Sequence, residues 1–283
     1  MKENVLKILF FGDITGRQGR NALKSFLSSS QTQDTFVIAN IENASHGFGL
    51  TKKNYNDLTE AGVNCFTSGN HIWDKKDIYE YINETTNLVR PINYPAGTPG
   101  KGSQTFDFNG FKIGVINVLG RVFMPPTDSP WQIVVEEINR LKNENIEHIF
   151  IDFHAEATAE KICFSKFLAN EFNTEENALI KGVFGTHTHV QTADEKIING
   201  MAYITDVGFC GAADSVIGME YSTSLKRLST SLPERYEIAN SDIAQINGVE
   251  ILIDRTKATQ IKRINILVDN KEQERKAELD SGG

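Results

Sequence analysis

Residues 7–40 read KILFFGDITGRQGRNALKSFLSSSQTQDTFVIAN, in which two short apolar runs enclose an amphipathic segment. The runs KILFFG (7–12) and TFVIAN (35–40) have the length and the β-branched and aromatic content of buried strands. The segment from Gly19 to Leu27 between them predicts a helix. A strand, a helix and a second strand in this order indicate the start of a largely parallel sheet in an α/β fold.

The alternation continues beyond residue 40 and then gives way to hairpins. The further predicted elements are helices over 51–62, 74–84, 130–143 and 157–172, strands over 64–70, 148–154 and 182–189, a hairpin over 103–120 that turns at Asn109-Gly110, more antiparallel strands around Gly200, and a hairpin of 248–256 with 258–269. We predict one domain with two sheets over 1–270 and a charged, frayed tail over 271–283. A separate second domain over 85–125 is the alternative.

Composition narrows the class of protein. The 283 residues include 29 Lys and Arg against 37 Asp and Glu, a net charge of -8, which argues against general duplex nucleic-acid binding. We find neither a secretory signal nor an apolar stretch of about 18 residues that would span a membrane. The three cysteines are scattered, so we expect reduced thiols in a cytoplasmic protein, with Cys65 and Cys210 in the core.

Polar side chains follow five predicted strands at the point where each strand ends. They are Asp13, Glu42, Asn43, Asn70, His71, His154, His187 and His189. Each alone has an ordinary explanation as a turn former, a helix cap or a core histidine. Four of the six histidines in the chain nevertheless lie at these strand ends, and ligands of open α/β sheets bind beyond the carboxyl ends of the strands. The pattern therefore predicts one shared site.

The residue types at these strand ends are typical of a two-metal centre. His187 and His189 stand at i and i+2 of a segment that we predict to be extended, so both should point to one side. Glu42 lies centrally among the predicted ligands and is our candidate for the carboxylate that bridges two ions about 3.5–4 Å apart. No cysteine joins the set, so a closed zinc–cysteine site is excluded and Fe, Mn and Zn remain.

His71 has a separate predicted role. Its side chain should diverge from that of Asn70 and face the mouth of the pocket, where it would protonate the leaving group after attack by a metal-bound hydroxide. The alternative is that His71 orients another ligand. We expect the loops 86–103 and 119–130 to form the pocket wall, although nothing in them indicates a nucleobase specificity.

The strand-end segments resemble the YmdB-like branch of the calcineurin-like metallophosphoesterase superfamily, from about residue 7 to 270. The matching segments are Gly12–Gly16, Glu42–Thr51, Gly69–Asp74, Arg90–Gly100, His154, Gly185–Asp194 and Thr205–Met219. The wider superfamily usually carries a ligand histidine in the first segment, in an Asp-x-His pattern. Thr15 stands in its place here, which should leave the first metal with fewer nitrogen ligands.

The resemblance implies a four-layer α/β/β/α sandwich of two mixed sheets and a bacterial phosphodiesterase. It also implies two transition-metal ions, with iron preferred and manganese or zinc as alternatives, and 2′,3′-cyclic nucleotides as substrates. One metal would bind Asp13, Glu42, Asn43 and His189, and the other Glu42, Asn70, His154 and His187. His71 would be the proton donor.

Other functions fit the same residues. A phosphomonoesterase or a nuclease would use the same metals on another substrate. A metal-stabilised, RNA-related regulatory protein would keep the ligands with little turnover, and a purely structural α/β domain would carry them by coincidence. We expect a small phosphodiester as the binding partner and leave a homo-oligomer open.

Overall fold

The computed structural model describes residues 5–30, 32 and 34–269, so the predicted tail over 271–283 lies outside the described residues. The strands are β1 (Leu6–Phe11), β2 (Asp13–Ile14), β3 (Thr35–Asn40), β4 (Cys65–Thr67), β5 (Ser103–Phe108), β6 (Phe111–Leu119), β7 (His148–His154), β8 (Ile180–Thr186), β9 (Lys196–Ile198), β10 (Met201–Ile204), β11 (Phe209–Ala212), β12 (Ile243–Ile253) and β13 (Ala258–Asp269). The helices are α1 (Gly16–Ser29), α2 (Lys52–Glu60), α3 (Ile78–Tyr81), α4 (Pro130–Asn143), α5 (Thr158–Phe172) and α6 (Tyr221–Thr230), with a 3-10 helix over Ile82–Glu84.

The strands form two mixed sheets within the described residues. The first has the order β2-β11-β12-β1-β3-β4, and β13 also pairs with β12. The second has the order β5-β6-β7-β8-β10-β9. β1, β3 and β4 run parallel in the first sheet, and β6, β7, β8 and β10 run parallel in the second. Both sheets therefore have a set of parallel strands whose carboxyl ends lie at one edge.

Side chains that alternate along the strands separate three apolar layers. In β1, Ile8 and Phe10 face the second sheet, whereas Leu9 and Phe11 face the layer that contains α1 and α2. Phe10 packs against Phe184 of β8 with ring centroids 4.8 Å apart. The outer face of the second sheet packs on α4 and α5. The predicted four-layer α/β/β/α sandwich is confirmed.

The predicted hairpin turn is also confirmed. Asn109 and Gly110 join β5 to β6 with φ of 49° and 81°, the two positive values of a type I′ turn. β5 and β6 belong to the second sheet, and Val115 of β6 lies in the apolar layer between the sheets.

Cys65 and Cys210 are buried free thiols, as expected.

One predicted helix has the wrong start, and one helix of the structure was not predicted. The helix over 74–84 begins only at Ile78, because the side chains of Asp74 and Asp77 bind groups outside it, the nearby His71 ring and the distant Lys52 amide. Helix α6 was not predicted. Its apolar residues are exposed and Ser224 is its one buried residue, so the hydrophobic periodicity of a core-facing helix is missing.

None of the helices in the described part of the chain combines the length and the apolar character needed to cross a bilayer.

The apolar layer between the sheets should dominate stability. Phe150 of β7 is fully buried in this layer. We expect Phe150→Ala to lower the free energy of unfolding by about 3–5 kcal/mol, because a cavity remains between two rigid sheets. Phe123 is 89% exposed, so Phe123→Ala should change it by less than about 0.5 kcal/mol. Urea unfolding measures the free energy of unfolding of both variants. Equal losses would contradict the dominant role of the apolar layer between the sheets.

Candidate metal centre

The carboxyl ends of the parallel strands in both sheets open on one crevice. Glu42 and Asn43 follow β3, Asn70 and His71 follow β4, and His154 ends β7. His187 and His189 follow β8, and Asp13 lies in the short strand β2, paired with Phe209. The structure brings all eight predicted residues to this crevice.

The side chains of three of these residues, Glu42, Asn70 and His187, lie close around the ring of a fourth, His154. Its Nε2 lies 3.0 Å from Glu42 Oε1, 3.2 Å from Asn70 Oδ1 and 3.1 Å from His187 Nδ1. One ligand atom each of Glu42, His154 and His187 lies within 4.8 Å of the others. A Cβ at residue 69 would overlap Glu42 and His154, so only glycine allows the β4 loop to pass this close.

Asp13 and His189 lie beside this group, and Asn43 lines the same cavity as His189. Asp13 Oδ1 lies 3.8 Å from His189 Nε2 and 3.8 Å from His154 Nδ1. Asp13 Oδ1 and Asn43 Oδ1 are buried without a hydrogen-bond partner. A buried oxygen without a partner is costly unless a cation or another donor meets it, so each of these two oxygens is a suitable ligand for a metal ion.

Hydrogen bonds to Nδ1, the ring nitrogen that faces away from the Glu42 and Asn70 oxygens, fix the orientation of the His154 ring. Its Nδ1 lies 2.8 Å from Thr186 Oγ1, and the Thr186 hydroxyl donates to Asp152 Oδ1 at 2.7 Å. Nδ1 is therefore the donor in this chain, and Nε2 faces the Glu42 and Asn70 oxygens, which are themselves acceptors. Either a proton on Nε2 or a bound cation must supply a positive charge where these groups meet. Such a chain behind a histidine is typical of metal ligands.

The pKa values in this crevice reflect the same demand for positive charge. Burial raises the pKa of Glu42, but the neighbouring His154 outweighs this effect and the pKa falls to about 2. Burial lowers the pKa of His154, but the Glu42 carboxylate outweighs it and raises the pKa to about 9. Burial alone dominates at Asp13, whose pKa is raised. A bound cation would replace the His154 proton and stabilise both carboxylates.

The predicted extended conformation of residues 187–189 was wrong. β8 ends at Thr186, and His187 and His189 have φ of 96° and 64°. Their convergence comes from this backbone path, which a buried ion pair supports. Lys161 donates to Asp206 at 2.7 Å, and the same Asp206 oxygen accepts from the Thr188 amide at 3.1 Å.

His71 stands at the rim, as its predicted role requires. Its amide donates to Glu42 Oε2 at 3.0 Å, its Nδ1 lies 2.8 Å from Asp74 Oδ2, and its ring packs edge-on against Phe48. The Asp74 carboxylate holds Nδ1 as a donor, which leaves Nε2 for a group in the pocket. This geometry is compatible with a proton donor, and the role stays a prediction.

The pocket wall was predicted in the wrong place. A cavity of about 370 Å³ adjoins the ligands, and its wall comes from Phe48, Glu156 and residues between 216 and 236. None of its lining residues falls in the loops 86–103 or 119–130. Those loops are anchored elsewhere, since the Arg90 guanidinium binds the carbonyls of 98–100 and the Asn93 side chain binds Leu119.

The profile of the family described as YmdB-like protein matches residues 9–264. This chain belongs to the YmdB-like family. It is 44% identical over 270 residues to the 2′,3′-cyclic-nucleotide 2′-phosphodiesterase of Bacillus subtilis. The alignment covers 94% of this chain and 98% of the relative.

Two solved structures have the same fold over nearly their whole length. A crystal structure described as a novel phosphatase of Mycoplasma pneumoniae has a TM-score of 0.85 and 36% identity, covering 96% of this chain and 97% of that one. A hypothetical protein of Thermus thermophilus has a TM-score of 0.84 and 34% identity, covering 93% and 99%.

Sequence reasoning missed three groups that support the site of this YmdB-like chain. Asp152 and Thr186 hold His154, and Glu156 Oε2 lies 3.2 Å from His187 Nε2, which leaves His187 Nδ1 facing His154. A signal for Asp152 was present, because a carboxylate interrupts the apolar strand HIFIDFH. No comparable signal marks Glu156, which is an ordinary loop residue in the sequence.

The hydroxyl between His154 and Asp152 should control metal affinity in this family member. We expect Thr186→Val to weaken metal binding about 10- to 100-fold, because His154 loses the acceptor that fixes its tautomer. Titration of the metal-free protein by calorimetry measures this. Thr259→Val, on the exposed strand β13, is the matched control and should bind metal as the wild type does. Equal metal affinities in the two variants would contradict a role of Thr186 in metal binding.

Proposed function

We propose that this protein is a phosphodiesterase that hydrolyses 2′,3′-cyclic nucleotides at a two-metal centre. The observation that carries the proposal is the convergence of carboxylate, amide and imidazole ligands, with two buried oxygens left unpaired, on one crevice that opens into a cavity. The substrate is proposed because the Bacillus subtilis relative is named for this activity.

The charge of the cavity favours diesters over monoesters. Its lining includes no Lys or Arg among the described residues. A phosphodiester carries one negative charge, whereas a phosphate monoester carries about 1.5 to 2 at neutral pH. Apart from the metals, the described lining therefore offers no guanidinium or ammonium group to pair with the second charge of a monoester. This argument favours the phosphodiesterase over a phosphomonoesterase on the same ligands.

We propose the following ligands for the two ions. Asp13, Asn43 and His189 would hold one, Asn70, His154 and His187 the other, and Glu42 would bridge them. When bound, such ions activate water and neutralise charge on the phosphate oxygens. Nitrogen and oxygen ligands without thiolates suit iron, which we prefer, as well as manganese or zinc.

Glu42, His71 and Asp74 would have further roles in positioning and in proton transfer. Glu42 holds the β4 loop through the His71 amide and so sets the position of the His71 ring at the rim. His71 would give a proton to the departing ribose oxygen as the cyclic ester opens, with Asp74 holding its other ring nitrogen. We place the enzyme in the cytoplasm, because its three cysteines are free thiols.

His71→Ala should lower kcat by about 10²- to 10⁴-fold and leave the metal content unchanged, because it removes the proton donor alone. Glu42→Ala should lose both metal and activity, since the bridging ligand goes. Steady-state kinetics together with elemental analysis of the purified proteins measures these effects. Full activity in His71→Ala would end its role as donor, and unchanged metal content in Glu42→Ala would contradict the bridge.

A panel of phosphate esters should separate the candidate functions. We expect kcat/KM to be highest for a 2′,3′-cyclic nucleotide, lower for a 3′,5′-cyclic nucleotide and lowest for a nucleoside monoester. Preference for the monoester would favour a phosphomonoesterase, and cleavage of RNA oligomers would favour a nuclease. Binding of RNA without turnover of any ester, by protein loaded with metal, would favour the regulatory alternative.

A further inference from the structure

Part of the wall of the cavity that adjoins the metal ligands is apolar and contains aromatic rings. Residues of this wall come from the loop between β3 and α2, the loop before α6, α6 itself and the segment that follows it. They are Phe48, Val216, Ile217, Met219, Leu228 and Tyr236. We call this set the apolar wall. A phosphate diester has no group that needs such a surface, so the wall must serve another part of the substrate or another ligand.

The apolar wall is held in place before any ligand binds. The Arg227 guanidinium lies over the Tyr236 ring at 4.8 Å and donates to the Glu234 carbonyl at 3.0 Å. Ile217 has a φ of 49°, which is costly for a β-branched residue, and its carbonyl lies 2.8 Å from His189 Nδ1. The wall and the metal ligands are therefore parts of one preorganised site.

One polar side chain that lines the same cavity, beside the apolar wall, has no hydrogen-bond partner. Ser224 of α6 is 1% exposed, lines the same cavity, and its hydroxyl makes no hydrogen bond. A serine within a helix ordinarily binds the carbonyl one turn earlier, as Ser229 does with Leu225 at 2.7 Å. An unpaired buried hydroxyl is unfavourable, so a ligand that supplies its partner would gain that contact at little cost.

We propose that the apolar wall is the subsite for the nucleobase of the substrate and that the Ser224 hydroxyl is its hydrogen-bonding partner. The inference rests on the proposed function and goes beyond it. A nucleobase combines a flat face, which stacks on aromatic and apolar side chains, with an edge of donors and acceptors. The cavity of about 370 Å³ is of the size that small ligands occupy and is continuous with Glu42, His187 and His189.

The chemistry of Ser224 also limits the selectivity among bases. A hydroxyl both donates and accepts, so it satisfies the edge of any of the four bases. The subsite should therefore distinguish a nucleotide from a compound without a base, and discriminate weakly between adenine, guanine, cytosine and uracil. This is the specificity of an enzyme that acts on a mixture of nucleotides.

The test compares two substrates with the same reacting diester. One is adenosine 2′,3′-cyclic phosphate, and the other is methyl β-riboside 2′,3′-cyclic phosphate, in which a methoxy group replaces the base. Wild-type kcat/KM should be about 10- to 100-fold higher for the nucleotide, the range expected from stacking one base. In Leu228→Ala and Tyr236→Ala this preference should fall about 10-fold, through loss on the nucleotide alone.

Leu225→Ala is the matched control, because Leu225 is an exposed leucine of the same helix and does not line the cavity. It should keep the wild-type preference. Ser224→Ala should lower kcat/KM about 3- to 10-fold for the nucleotide only. Its thermal midpoint in the absence of substrate should be unchanged or higher, because the hydroxyl lost has no partner there. A lower midpoint would make Ser224 a structural residue and overturn its role.

Equal effects of the wall variants on both substrates, or a wild type that does not prefer the nucleotide, would overturn the subsite. Failure of the proposed function is a different result, namely no turnover of either compound by the metal-loaded protein. Calorimetric binding then decides the subsite by itself. Tighter binding of the nucleotide than of the riboside, lost in Tyr236→Ala, would support it, and equal binding would refute it.

Discussion

The architecture of the site depends on one electrostatic constraint. Oxygen and nitrogen lone pairs of Glu42, Asn70 and His187 meet His154 Nε2 within 3.0–3.2 Å in a buried crevice. Acceptors at this distance repel one another unless a positive charge stands between them. The rest of the structure keeps them there, through the absent side chain at Gly69, the hydroxyl behind His154 and the buried Lys161–Asp206 pair.

Two facing sheets are what make this arrangement possible. Parallel strands in each sheet end at the same edge, so short loops from both bring ligands across the gap between the layers. Neither sheet alone supplies the set, because Glu42 and Asn70 come from one and His154 and His187 from the other. Packing of the apolar layer between the sheets is thus also what sets the ligand distances, and the stability of that layer and the geometry of the centre are coupled.

The sequence predicted the fold and the positions of the ligands but not the shape of the pocket. An apolar run that ends in a polar residue indicates both a strand and the position at which the strand ends. Asp13, Glu42 and His154 could therefore be placed from the local pattern alone. The left-handed backbone at His187 and His189 could not, because contacts with Asp206, 17 or more residues away, hold it. Helix α6 was hidden because it presents leucines to the cavity and to solvent, and buries only a serine.

Ile217 connects two parts of the site that are usually considered separately. Its carbonyl binds the ring of a proposed metal ligand, and the residue also lines the proposed nucleobase subsite. One strained residue in one conformation serves both, so whatever stabilises that conformation from one side favours occupancy on the other. Thermodynamic linkage makes this effect mutual. A filled base subsite would raise the affinity of the centre for metal, and loss of the metal would lower the affinity for the nucleotide by the same factor.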